Sequence, residues 1–109
     1  MGSVIGNYKN KLSELCHIYG VRRLEVFGSA SRHDFDPKRS DIDFLVNFTE
    51  THPLGAFEQY FGLKEALEQL FQRPVDLIEE KAIKNPYFKQ AIQQDRVLIY
   101  ETTNPKTAL

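Results

Sequence analysis

Between residues 3 and 19 the apolar positions Ile5, Tyr8, Leu12, Leu15, Cys16 and Tyr19 recur at spacings of three and four. That repeat draws one face of a helix, and Gly20 stands where a left-handed residue closes such a helix. Leu24-Glu25-Val26-Phe27 is a short β-prone run stopped by Gly28-Ser29. Ser31 to Arg39 is polar and charged, with Pro37 breaking any regular element. Asp41 to Phe48 reads as a strand that opens on two acids, and Thr49 to Pro53 as a loop. Residues 54–73 carry Phe57, Tyr60, Leu63, Leu67, Leu70 and Phe71 at helical spacing, the face expected to enter the core. Gly62 inside that helix should cost about 1 kcal/mol relative to Ala, so a bend or division is expected there. Pro74 ends the helix. Val75-Asp76-Leu77-Ile78 is a third strand, Asn85-Pro86 caps and opens a helix through about residue 95, and Val97 to Tyr100 is a last strand.

Such alternation of helices and strands predicts an α/β (α+β) fold, a small sheet covered by helices. With 109 residues the chain suits one domain. Residues 1–101 are assigned to it and residues 102–109 to a tail.

Composition narrows the class. Hydrophobic residues are 41% and charged residues 27%, as in an ordinary globular protein. Lys+Arg 14 against Asp+Glu 15 leaves a formal net charge of -1. This speaks against coating nucleic acid through charge alone, since such binders concentrate cations to displace counterions. No apolar run approaches the roughly 20 residues of a membrane span, and the N-terminus lacks the pattern of a signal peptide. One cysteine, Cys16, makes no intrachain disulfide and reads as core. His17, one step around the helix, reads as surface. A cytoplasmic protein is expected.

Three features carry candidate chemistry. Gly28 at a strand end permits a sharp turn and close approach, and Ser29 beside it offers a hydroxyl and an N–H to a phosphate oxygen. Period-two geometry puts Asp41 and Asp43 on one strand face, with Ile42, Phe44 and Val46 on the other. Paired carboxylates repel unless a cation lies between them, and Mg²⁺ suits such oxygens; alternatively the acids solvate the start of an edge strand. Asp76 stands among Val75, Leu77 and Ile78, where a carboxylate needs a partner, either a nearby Lys or Arg or the same cation. Between the first two features Arg22, Arg23, Arg32, Lys38 and Arg39 outnumber Glu25, Asp34 and Asp36, and Arg32, Lys38 and Arg39 could neutralise a triphosphate or be solvated surface.

Gly28-Ser29, then eleven residues, then Asp41-Ile42-Asp43, all inside GSASRHDFDPKRSDIDFLV, resembles nucleotidyltransferases of the polymerase-β type. The short chain and Ser-Asp-Ile-Asp are similar to the minimal nucleotidyltransferases (MNT proteins) found beside HEPN-domain partners. PVDLIEE is similar to the family's third-carboxylate strand and KAIKNPYFKQAI to its C-terminal helix. The resemblance implies a mixed sheet flanked by helices, with transfer of a nucleoside monophosphate from a triphosphate, AMP from ATP, aided by two Mg²⁺ ions. Asp41, Asp43 and Asp76 match the catalytic, metal-holding acids; Gly28, Ser29, Arg32 and Ser40 match nucleotide-binding positions. Many members carry Arg directly after Gly-Ser, whereas this chain has Ala30 there and Arg32 two places on.

The expected partner is then a HEPN toxin and the expected acceptor a tyrosine hydroxyl on it. Two rivals stand beside this reading. One is an antitoxin that neutralises by binding alone, through aromatics such as Tyr60, Tyr87 and Phe88. The other is a transferase acting on a small molecule or RNA.

Overall fold

The computed structural model describes residues 8–28 and 41–102. Helix α1 (Lys9–Ile18) leads through Gly20 (φ +68°) into β1 (Val21–Phe27), followed by β2 (Ile42–Phe48) and helix α2 (Ala56–Phe71). Then come β3 (Val75–Glu79), a 3-10 turn (Glu80–Ala82), helix α3 (Pro86–Asp95) and β4 (Val97–Glu101). The strands form one mixed sheet in the order β3-β2-β1-β4. β1 runs antiparallel to β2 and β4, while β2 and β3 are parallel, as a helical crossover through α2 requires.

Side-chain alternation divides the sheet into two unlike faces. Leu24, Val26, Ile42, Phe44, Val46, Val75 and Leu77 point to one face. There they pack with Leu12, Leu15 and Cys16 of α1 and Leu63, Leu67 and Phe71 of α2. The thiol of Cys16 is fully buried, and burial pushes it up to about 12, so it stays a protonated core group; His17 is exposed. The other face carries a smaller cluster in which Phe27 and Leu45 meet Ile83 and Ile92, with Ile78 and Phe88 against them. Helix α3 covers this face. Its start is fixed by Asn85, whose side chain accepts from the N–H groups of Tyr87 (2.8 Å) and Phe88 (3.3 Å).

Three local expectations change, and a fourth, the start of the first helix, falls partly outside the described residues. Helix α1 is described from Lys9 onward, the residues before Tyr8 lying outside the described part. Gly62 does not divide α2, which runs unbroken from Ala56 to Phe71. A Cβ at position 62 would strike the Tyr19 ring, so the glycine makes room for α1 to close on α2. Phe57 is not core but 72% exposed, and Phe61, one turn on, is 51% exposed. The buried stripe instead begins with Gln59, which donates to the carbonyls of Tyr19 (3.2 Å) and Thr49 (3.3 Å). Finally, Asp41 lies just before β2 rather than within it. Among the described residues no helix is long and apolar enough to cross a membrane.

Candidate active site

On the face covered by α3, residues two apart along each strand form three rows. At one end stand Asp43 of β2 and Asp76 of β3, which are direct partners in the parallel register. In the middle lie Leu45 and Ile78, also direct partners, with Glu25 of β1 opposite Leu45. At the far end are Arg23 and its partner Asn47, with Glu80 beside them, and Arg96 from the end of α3 bridges Glu25 and Glu80. A single face thus runs from two acids beside Phe27, past Leu45 and Ile78, to a polar network centred on Glu25 and Arg96.

The parallel pairing sets the acidic end. The N–H of Ile42 donates to the Pro74 carbonyl at 3.3 Å, which locks the start of β2 beside the start of β3 and places Asp43 opposite Asp76. From the other side, β1 brings Phe27 opposite Asp43. The chain then turns at Gly28 with φ +70°, a conformation that side chains with a Cβ rarely adopt. A Cβ on Gly28 would lie 2.6 Å from Oδ2 of Asp43, well inside van der Waals contact. Glycine is therefore required twice here, for the turn and for the approach of backbone to carboxylate.

Crowding of these acids shows in the titration of Asp43, raised from 3.8 to about 6. Burial is the largest cause, followed by the negative charges of Asp76 and Asp41. A hydrogen bond between the Asp43 and Asp76 carboxyls adds to it by holding the proton. Asp41 and Asp76 are exposed, and Asp43 is half-buried. Among the described residues, burial and the neighbouring carboxyls thus disfavour the charged form of Asp43.

Of the residues singled out in the sequence, Asp43, Asp76 and Gly28 come together, and Asp41 reaches Asp43 through its charge. Among the described residues no three His, Cys, Asp or Glu side chains converge closely enough to hold a metal ion by themselves. Asp43 and Asp76 form a pair, not a closed cage. The pair fits a hard divalent cation that completes its shell with water and phosphate oxygens, which is how Mg²⁺ is commonly held. Ser29, Arg32 and Ser40 lie outside the described residues.

Sequence reading missed the polar far end. Glu25 is 2% exposed and accepts from Arg96 through both carboxylate oxygens, one of the two bonds, from Nε, measuring 2.9 Å. Arg96 also reaches Glu80 at 3.1 Å, and Asn47 donates to the other Glu80 oxygen at 2.8 Å. The signal was present, because Glu25 sits between Leu24 and Val26 just as Asp76 sits between Val75 and Leu77. Its partner, 71 residues away, has no readable spacing.

The family profile described as nucleotidyltransferase domain matches residues 9–99. A candidate protein adenylyltransferase of Methanocaldococcus jannaschii is 38% identical to this chain over 81 residues, 74% of this chain and 79% of the relative. A solved structure of a candidate minimal nucleotidyltransferase superposes with a TM-score of 0.70 at 28% identity, covering 85% of this chain and 90% of that one. A chain from the complex of a tri-AMPylated HEPN toxin with MNT antitoxin, from Shewanella oneidensis, superposes with a TM-score of 0.61. It is 18% identical, covering 95% of this chain and 78% of that one, a likeness of fold.

Proposed function

The chain belongs to the nucleotidyltransferase domain family and is a minimal nucleotidyltransferase of polymerase-β-type fold, and we propose that it moves AMP from ATP to a tyrosine hydroxyl of a partner HEPN toxin. The observation that carries this reading is the pairing of Asp43 with Asp76 beside the Gly28 turn. The acceptor class is supported by the M. jannaschii relative's name and by the tri-AMPylated toxin in the S. oneidensis complex.

The residues divide the work as follows. Asp43 and Asp76, with Asp41 adding its charge, would hold Mg²⁺, which when bound supplies charge neutralisation of the triphosphate and of the attacking oxygen. The Gly28 turn lets the backbone approach the carboxylates without a side chain between, leaving space for phosphate oxygens. Ser29, Arg32 and Ser40 would contact the nucleotide, as the sequence pattern implies. In the transfer, the acceptor oxygen bonds to the α-phosphorus, the bond to pyrophosphate breaks, and the hydroxyl proton leaves toward the carboxylate pair. The catalytic contribution is chiefly positioning and electrostatic preorganisation, tasks a small sheet can perform. The exposure of Asp76 and Asp41 supports an acceptor carried on another macromolecule.

Label transfer tests the reading. The purified chain is incubated with α-labelled ATP, Mg²⁺ and lysate of its source, beside Asp43→Asn. A labelled protein band that disappears with Asp43→Asn is the expected result. Absence of label from a folded sample, with rescue of toxicity intact in Asp43→Asn, would replace transfer by neutralisation through binding alone.

A further inference from the structure

On the sheet face opposite the acids, Phe57 and Phe61 project from the outer side of α2, with ring centroids 4.5 Å apart. They line, with Tyr19, Leu54 and Gly62, a groove of about 510 Å³ between the end of α1 and the first turns of α2. A tilted aromatic pair 72% and 51% exposed contributes little to the core and leaves apolar area in water, a mark of a contact surface. The rim of the groove is acidic: Glu58, Glu65 and Glu68 stand around it, and its lysine, Lys64, is already held by Glu68 at 3.1 Å. Among the described residues Glu58 and Glu65 have no ion-pair partner.

We propose that this groove docks an amphipathic protein helix whose apolar stripe is flanked by Lys or Arg. Apolar side chains at successive helical turns would sit on the Phe57–Phe61 pair, and flanking cations would meet Glu58 and Glu65. The charge decides among occupants. Anionic lipid surfaces and nucleic acid are repelled by the rim. A second copy docking through the same face would set carboxylates against carboxylates. The inference goes beyond the transfer reaction and stands without it, because the groove lies across the sheet from Asp43 and Asp76 and the readout is binding.

The test is fluorescence anisotropy of two labelled synthetic helices on the intact chain, one of Leu and Lys at amphipathic spacing, the other with Glu for Lys. The Leu/Lys helix should bind at least tenfold more tightly than the Leu/Glu helix. Phe57→Ser/Phe61→Ser should lose at least tenfold of that affinity while keeping its circular dichroism, since both rings are exposed. Glu58→Lys/Glu65→Lys, which leaves the rings in place, should invert the preference. Leu/Lys binding unchanged in the Phe variant, or an unaltered preference in the Glu variant, overturns the proposal. So does a wild-type dimer, or capture on phosphatidylserine vesicles, that the Phe variant abolishes, because the occupant would then be a second copy or a lipid surface.

Discussion

Asp43 is held where its charge is unfavourable. Its carboxyl rises from 3.8 to about 6 through burial, then through Asp76 and Asp41. A group whose folded pKa lies above its unfolded value contributes stability that is complete below the unfolded pKa and is lost as pH rises through the folded one. Metal-free protein should therefore lose stability between about pH 4 and pH 6.5 on this account. Asp43→Asn removes the ionisation, so it should melt higher than the wild type at pH 7.5 without divalent cation, the gap closing toward pH 4. Mg²⁺ should raise the wild-type melting temperature and leave that of Asp43→Asn nearly unmoved. Thermal melts across pH, with and without Mg²⁺, check both points; a less stable Asn variant at neutral pH would contradict the crowding argument. Asp43 and Asp76 were legible in the sequence because acids in apolar strands stand out. Their mutual register was not, since pairing of β2 with β3 depends on the crossover between them.

At the scale of elements, α2 shows how tertiary contact overrides local propensity. Gly62→Ala should strengthen an isolated helix by about 1 kcal/mol. In the folded chain its methyl would meet the Tyr19 ring, whose Cδ1 and Cζ lie 3.1 and 3.2 Å from the Cβ position. The expected outcome is a net loss of about 1–2 kcal/mol in chemical denaturation, largely recovered when Tyr19 is also shortened to Leu. The same helix explains the misplacement of Phe57. Tyr60, Leu63, Leu67 and Leu70 already mark a stripe, and Phe57 extends it in sequence. Yet at the first turn the stripe passes to Gln59, which the carbonyls of Tyr19 and Thr49 hold inward. Helix α3 was legible throughout, because its start is written locally: Asn85 caps it and Pro86 opens it. Of the aromatics considered as a contact surface, Tyr87 is 80% exposed. Phe88 packs against the Phe27 cluster, and Tyr60 packs against the main core and donates to the Leu77 carbonyl.

Across the whole molecule, the two sheet faces are tied by different means. One is an apolar core between the sheet and α1 and α2; the other combines a small apolar cluster with the Glu25–Arg96–Glu80 network. Arg96 joins the end of α3 to β1 and to the 3-10 turn, so it fixes the cover over the face that ends in Asp43. Arg96→Leu would leave Glu25 buried with Arg23 as its remaining cation, at 3.3 Å. A loss of about 3–5 kcal/mol is expected from breaking one side of such a pair. The double variant Arg96→Leu/Glu25→Leu should regain much of it, because the buried Glu25 charge is gone while Glu101 still pairs with Arg23 and Asn47 still donates to Glu80. Urea unfolding of the three variants checks this; equal losses in single and double variants would assign the effect to packing.

Periodicity, caps and acids in apolar strands are local signals, and they made the elements, the mixed α/β character and the chemically telling residues legible along the chain. The sequence also carried the family, through Gly28-Ser29 and Asp41-Ile42-Asp43. Folding adds that Asp76 faces Asp43, that Gly28 must lack a side chain for Asp43 to fit, that Glu25 belongs to Arg96, and that Phe57 and Phe61 look outward. Each of these is a relation between segments distant in the chain. Such relations follow from strand register and the packing of one element on another, which no spacing along the chain records.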